Sequence, residues 1–326
     1  MMTTGAITNP EYGSEMYMSQ RTSYLAEFDH RLGAIYVEIQ DKEKYHFRQI
    51  QCLNEIGEFK LDGVKYSGKK KTKIERPEGF ILGDLHVGAT CPKTRQVWID
   101  IIKETKPKRI FLHDAMNGHS INHWIEQNII AKALQEKEGL NCLEKELRLF
   151  AEELRFWASL VEEVIIVPSN HNDWLDRWLT SAKYAKDAKN HYVGVCLAKG
   201  VLEGNHTIKF AVEEFIGIKV PNVIWLGRNE DYYIGDVQLN CHGDMGTNGS
   251  RGSLMGMEKA YGSSTSGHSH TAGIHRDAWA VGTSTHLQEA YNNGPGTWTN
   301  TSCLIYMDGS RCLYNAIEGK WNDGRK

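Results

Sequence analysis

The stretch that most constrains this chain is residues 83–88, GDLHVG, which directly follows the apolar run at residues 80–82, FIL. A short apolar run that ends in glycine and polar residues predicts a buried strand with functional side chains at its carboxyl end. Asp84 and His86 are two residues apart, so their side chains leave the same face of an extended backbone. An oxygen donor beside a nitrogen donor suits a borderline divalent metal ion. We therefore predict part of a metal site here.

Length and composition are those of a soluble protein with a large core. The chain has 326 residues and 40% hydrophobic content, enough for one large domain or a domain with an appendage. Its net charge of −3 creates no global field for nucleic acid, so any such binding must use local patches. Seven scattered cysteines without a Cys-x-x-Cys pair argue against a disulfide framework. Without a signal peptide or a membrane-length apolar run, we expect a cytoplasmic, intracellular location and no membrane partner.

Residues 1–78 differ in pattern from the rest of the chain and are interpreted as an N-terminal extension or small module with a basic linker. The linker is the lysine run at Lys65, Lys69 to Lys71 and Lys73. Such a run is either a solvated connection or a contact for the phosphates of a polyanion, and the sequence leaves both readings open.

Residues 79–326 are predicted to form one α/β domain. Two further apolar runs, at residues 109–112 and 164–168, each come after a predicted helical region, and polar residues follow each run. This is the pattern of strands that alternate with helices in a layered α/β protein. Residues 121–162 are interpreted as two helices broken near Gly139, and later strands are expected at residues 208–212, 223–226, 237–241, 279–282 and 302–307.

Four further segments place candidate metal ligands at the ends of predicted strands. They contribute Asp114, Asn170 with His171, His242, and finally His268 with His270. A lone histidine at a strand end is more often structural than functional. Five such segments in one chain are much harder to assign to coincidence, because open α/β sheets bind their ligands at the carboxyl edge.

These residues resemble the calcineurin-like metallophosphoesterases, whose pattern is Gly-Asp-x-His, Gly-Asp-x-x-Asp/Asn, Gly-Asn-His-Asp/Glu, a later His and Gly-His-x-His. The matching segments here are GDLH at 83–86, HDAMN at 113–117, SNHN at 169–172, His242, and GHSH at 267–270. The resemblance extends over roughly residues 79–272. The chain departs from the pattern at His113 and Ser169, which replace glycines, and at Asn172, where Asp or Glu is usual.

The resemblance implies a four-layer α/β/β/α sandwich and a site for two divalent metal ions. Mn²⁺ is the expected metal, with Fe or Zn²⁺ as alternatives. It places Asp84, His86 and His270 on one ion. Asn170, His242 and His268 would hold the second, and Asp114 would bridge both. His171 would stabilise the transition state or protonate the leaving oxygen.

The substrate is less constrained than the chemistry. Arg251 lies in a glycine-rich loop that could bind phosphate, and Asn117 and Trp174 are the other candidate contacts. Trp174 and Trp178 either stack on bases or fill the core. We favour a nuclease that cleaves DNA, compatible with a phage-type exonuclease or other nuclease, with exo or endo action left open. The alternatives are a phosphatase or phosphodiesterase for a small molecule or phosphoprotein, and a non-catalytic scaffold.

Overall fold

The computed structural model describes residues 5–12, 20–39, 42, 45–73, 76–126, 128–288, 292 and 294–321, and in these the fold is mixed α/β with several sheets. The strands are β1 (Gly33–Ile39), β2 (Tyr45–Gln51), β3 (Phe59–Leu61), β4 (Val64–Ser67), β5 (Lys70–Lys73), β6 (Gly79–Ile81), β7 (Arg109–Leu112), β8 (Glu163–Ile166), β9 (Val223–Trp225), β10 (Tyr233–Ile234), β11 (Val237–Gln238), β12 (Ser264–Ser266), β13 (Gly273–His275), β14 (Ala278–Ala280), β15 (Thr301–Ile305) and β16 (Arg311–Asn315). The α-helices are α1 (Gln20–Asp29), α2 (Pro92–Thr105), α3 (His123–Glu126), α4 (Ile129–Lys137), α5 (Leu143–Ala158), α6 (Asn170–Thr180), α7 (His191–Leu202), α8 (Thr207–Phe210) and α9 (Leu254–Tyr261).

The larger sheet has six strands in the order β16-β15-β6-β7-β8-β9. Strands β6 to β9 are parallel, whereas β15 and β16 run antiparallel to their neighbours. Parallel strands end at the same edge of a sheet. The segments that follow β6, β7 and β8 therefore meet there, and these segments carry Asp84, Asp114 and Asn170.

The second sheet has five strands in the order β10-β11-β12-β14-β13. Strands β11 and β12 are parallel, so the segments that follow them, with His242 and His268, also meet at one edge. The two sheets touch beside Asp84, whose backbone N–H donates to the Gly282 carbonyl at 3.1 Å. The ligand-bearing ends of the two sheets therefore face each other.

The apolar side chains of the six-stranded sheet alternate between two clusters. Phe80 and Leu82 pack with α2, α5, α6 and α7, whereas Ile81 packs with residues of the second sheet such as Trp279. Because helices cover one face of β6 and the second sheet covers the other, its side chains are apolar on both faces. A smaller cluster joins α9 to the second sheet through Met257.

The structure corrects the prediction of a strand at residues 208–212. This segment forms α8 and a following π-helical turn at Ala211–Phe215. Ile208, Ala211 and Val212 are buried, and their i, i+3, i+4 spacing forms one face of a helix. A run of five residues was too short for the sequence to distinguish the two periodicities.

Within the basic run, Lys70–Lys73 forms β5, the edge strand of a three-stranded sheet with β3 and β4. Its side chains are exposed, and lysines on an edge strand oppose pairing with another chain. The Lys60 ammonium of this sheet lies 3.4 Å from Asp308, in the turn between β15 and β16. That turn lies where β6 begins, whereas the candidate ligands lie where β6 ends. The basic strand is therefore attached at the opposite end of the sheet from these ligands.

Candidate metal centre

The seven residues that the sequence predicts as metal ligands lie together at the facing ends of the two sheets. Asp84 and His86 follow β6, Asp114 follows β7, and Asn170 begins α6. His242 follows β11, and the last two, His268 and His270, follow β12. Asp84 and Asp114 have only 0% and 2% of their surface exposed.

The first group of converging side chains is Asp84, His86, Asp114 and His270, whose ligand atoms lie within 4.8 Å of one another. His270 Nε2 is 3.2 Å from Asp84 Oδ2 and 3.2 Å from His86 Nε2. His86 Nε2 is 3.7 Å from Asp114 Oδ2. Imidazole nitrogens and carboxylate oxygens at these separations could share one transition-metal ion.

The second group is Asp114, His242 and His268. His242 Nε2 lies 3.0 Å from Asp114 Oδ2. Asn170 joins this group through its Oδ1 atom, which is 3.1 Å from His268 Nδ1. Asp114 therefore belongs to both groups and lies between them.

Several buried polar atoms of these groups have no hydrogen-bond partner. They include Oδ1 of Asp84, Oδ1 of Asp114 and Nε2 of His242, whose close approach to Asp114 lacks hydrogen-bond geometry. Buried carboxylates without compensating partners are costly, because they lose the solvation that water provides. The donor set and its unpartnered atoms therefore fit divalent cations.

The backbone at this centre is unusual. His86, Asp114, His268 and His270 have φ angles of 45°, 41°, 69° and 56°. Non-glycine residues rarely adopt this left-handed region, and such conformations concentrate at functional sites. The chain therefore holds four of its candidate ligands in unfavourable conformations.

Both central carboxylates stay ionised in this environment. Burial would raise the pKa of Asp84, but His242 and His270 hold it below its ordinary value. Burial would likewise raise the pKa of Asp114, but His242 and His171 hold it well below the ordinary value. Both residues are thus available as anionic ligands.

The histidines of the centre differ in charge when no cation is present. Burial, with the electrostatic effect of the neighbouring His171, lowers the pKa of His86 to about 3, so its imidazole is neutral and ready to bind a metal. Burial would also lower the pKa of His242, but Asp114 and Asp84 raise it to about 9. In the metal-free protein His242 is therefore the cation that offsets the two carboxylates.

His113 is a residue at this centre that sequence reasoning did not select. It is fully buried, and its Nδ1 atom lies 3.3 Å from Nδ1 of His242. Burial, with the charge of His242, lowers the pKa of His113 to about 4. The sequence did carry a sign of its importance, because His113 stands where the calcineurin-like metallophosphoesterase pattern has glycine. Ser169, at the other replaced glycine, is buried and caps α6 through its hydroxyl.

His171 is held in a fixed orientation beside the first group. Its Nδ1–H donates to the Asn117 carbonyl at 2.6 Å. Its ring stacks on Trp174 at 4.0 Å and lies 4.5 Å from the ring of His86. Because the carbonyl can only accept, Nδ1 carries a proton and is committed to this bond, so Nε2 is the ring nitrogen that can contact a substrate.

The remaining predicted substrate contacts lie in different settings. Trp178 is buried in the core, which settles its role as packing, whereas Trp174 is half-buried under His171. Asn117 contributes its backbone carbonyl to His171. Arg251 is exposed in the loop after His242 and is not among the residues that converge on the two groups.

Arg228 connects two of the ligand-bearing segments. Its guanidinium donates to Asp173 at 2.8 Å and to both carboxylate oxygens of Asp244 at 2.8 and 2.9 Å. Asp173 lies three residues after Asn170, and Asp244 lies two residues after His242. This planar, multidentate contact fixes the distance between the two segments of the second group.

Comparisons with known proteins give limited further information. No family model matches the chain. Protein A1 of Escherichia phage T5 is 27% identical over 324 residues, a match that covers 94% of this chain and 57% of that protein. The chain thus spans little more than half the length of this relative. A solved structure aligns at 11% identity over 74% of the chain and 100% of its own length, with a TM-score of 0.39, which is too low to carry an argument. No helix in the described ranges is long and apolar enough to cross a membrane.

Proposed function

We propose that this chain is a phosphoester hydrolase with two divalent metal ions, of the calcineurin-like metallophosphoesterase type. The observation that carries the proposal is Asp114, a buried carboxylate shared by two groups of nitrogen and oxygen ligands. The positions of the core clusters support the corresponding α/β/β/α arrangement, since helices cover the outer face of each large sheet and the other faces pack together.

In this proposal Asp84, His86 and His270 hold one ion, and Asn170, His242 and His268 hold the other. Asp114 binds both. Divalent cations at such a site activate water and neutralise negative charge that develops on a phosphoryl group. The protein supplies fixed ligands, because the strand ends and left-handed backbone leave the side chains little freedom.

His171 is the proposed catalytic residue. When the ring is an imidazolium, with a second proton on Nε2, that N–H either donates a hydrogen bond to a phosphoryl oxygen or transfers its proton to the leaving oxygen, which leaves a neutral ring with its proton on Nδ1. Asn117 and Trp174 then act as positioning residues, because they fix the ring by one hydrogen bond and one stacking contact. In this proposal Asn117 and Trp174 contact His171, whereas they were predicted from the sequence as direct contacts of the substrate.

We propose a phosphodiester of DNA as the substrate. Exposed cations on the segments that carry candidate ligands support this choice, among them Arg251 in the loop after His242 and Arg177 on α6, the helix that begins at Asn170. The strand β5 offers less support than its composition indicated, because it is attached at the far end of the sheet. A small-molecule or phosphoprotein ester is the competing substrate class.

The test combines metal analysis with a substrate panel. Purified protein should contain up to two transition-metal ions per chain, and in Mn²⁺ it should cleave linear or circular DNA. RNA, small monoesters and small diesters complete the panel. Turnover that survives excess chelator would refute the metal-dependent mechanism. If small esters are hydrolysed and DNA is not cleaved, the proposed hydrolase activity stands but the substrate is a small ester. If metal binds and no substrate is turned over, the result favours a non-catalytic scaffold.

A further inference from the structure

A continuous row of aromatic rings leads from the candidate metal centre to the protein surface. The His171 ring stacks on Trp174 at 4.0 Å, Trp174 meets the edge of His123 at 5.6 Å, and His123 lies 4.6 Å from Trp124. These separations place the Trp124 ring no more than about 14 Å from that of His171. We call these four residues the aromatic row.

The outer end of the row is exposed to an extent that is unusual for tryptophan. Trp124 has 68% of its surface exposed. Ile129 and Ile130, at the start of the next helix, are exposed by 83% and 71%. A cluster of exposed apolar side chains beside a candidate active site indicates a binding surface.

The segment that carries this surface is anchored from below. Glu146 of α5 accepts hydrogen bonds from the backbone N–H groups of His119 and Ser120 at 2.8 and 2.9 Å. The buried Gln135 of α4 donates to the His119 carbonyl at 2.6 Å. The backbone that leads to Trp124 is thus held to α4 and α5, which lowers the entropic cost of binding.

The inner and outer tryptophans differ in what they can contact. One face of Trp174 is covered by His171, and a side chain at Gly118 would lie 2.9 Å from its ring, so it is enclosed. Trp124 keeps most of its surface open. A flat aromatic ligand that extends from a phosphoryl group at the centre would therefore stack on Trp124.

We infer that Trp124 is a stacking platform for an unpaired nucleobase of a single-stranded nucleic acid whose phosphodiester lies at the metal centre. The inference rests on the proposed function and adds the strandedness of the substrate. Every base has an aromatic face, so such stacking tolerates any sequence. Lys132 is exposed on α4, the helix that follows Trp124 in the chain, and its ammonium group can contact the phosphates of that strand.

The test compares Trp124→Ala with the wild type on two labelled oligonucleotides of equal length and charge. One carries all its bases, and the other is abasic around its centre. We expect Trp124→Ala to weaken binding of the first by roughly 5- to 150-fold, the range of stacking on one base. Binding of the abasic strand should be nearly equal for the two proteins. Trp124→Phe should restore most of the lost affinity.

The matched control is Tyr192→Ala, which removes another aromatic side chain, 71% exposed, from a different helix. It should bind both strands as the wild type does. Equal losses on both strands, or no loss on either, would overturn the stacking role of Trp124.

This result is independent of turnover, because fluorescence anisotropy measures binding directly. In parallel, the ratio of kcat/KM for the oligonucleotide to that for a small diester should fall in Trp124→Ala. Failure of the wild type to cleave any ester would contradict the proposed function instead.

Discussion

Gly267 offers a direct test of the first metal group, because its missing side chain makes room for a candidate ligand. A Cβ atom at this position would lie 2.1 Å from Asp84 Oδ1. Real Cβ atoms essentially never approach another atom closer than 3.0 Å, so the Gly267→Ala variant must separate the two atoms by about 0.9 Å more. The nearest atom of another residue, His113 Cβ at 3.4 Å, limits movement in another direction.

Such a displacement is large on the scale of metal coordination. Ligand distances in metal sites are held within about 0.2 Å. Asp84 cannot shift freely, because its Oδ2 atom accepts from the His268 backbone N–H at 2.8 Å and its own backbone pairs with Gly282 and Ser284. We expect Gly267→Ala to weaken binding of one ion by about 100-fold, the upper end of the range for disturbed ligand support.

Two measurements check this expectation. Elemental analysis after dialysis should find close to one ion per chain in the variant where the wild type holds two. At saturating Mn²⁺ the stabilisation by metal should be smaller by about 2.7 kcal/mol, the free energy of a 100-fold change in affinity. The metal-induced increase in Tm should then be smaller by roughly 5 °C.

A matched control distinguishes this effect from a general intolerance of alanine. Gly296→Ala adds a Cβ with no atom within 4 Å and no positive φ, so metal content and Tm should stay at wild-type values. If Gly267→Ala folds and binds two ions with wild-type affinity, the Asp84 carboxylate is not a metal ligand. The assignment of the first group would then be wrong.

Three further expectations concern other parts of the centre and its surroundings. Asp114→Ala should lose both ions together, since Asp114 belongs to both groups; elemental analysis checks this, and retention of one tightly bound ion would contradict the bridging role. His171→Ala should keep its metal content and lose roughly 10²- to 10⁴-fold in kcat, the usual range for general acid–base groups, whereas loss of an ion would show that His171 is a ligand. Lys70→Ala with Lys71→Ala should leave cleavage of a short oligonucleotide nearly unchanged across a salt series, because β5 is attached far from the centre. A marked loss, with small-diester cleavage intact, would show that the strand contacts nucleic acid.

The sequence predicted local features of this fold better than tertiary ones. The apolar runs before Asp84, before Asp114 and before Asn170 are strands in the structure, because a short run covered on both faces has a clear pattern. Residues 208–212 were misjudged as a strand, since five residues did not reveal the helical face that packs against the core. The strand formed by the lysines of β5 was not predicted, because an exposed edge strand has no apolar alternation.

The candidate site shows the same division. The ligand residues could be selected because strand ends bring polar groups to one edge of a sheet. The contacts of His113 with His242 and of Trp174 with His171 could not, because they depend on how separate segments pack in three dimensions.

The candidate ligands also explain why this centre would need its cations for more than chemistry. Two ionised carboxylates are buried with unpartnered oxygen atoms, and four ligand residues have left-handed backbone. Each such backbone conformation costs on the order of 1–3 kcal/mol, so the metal-free site opposes folding. In the absence of metal, protonated His242 compensates part of the negative charge of the two carboxylates. Cations that bind the folded state alone stabilise it by mass action. The same ions that would activate a phosphoester therefore also offset the energetic cost of the geometry that holds them.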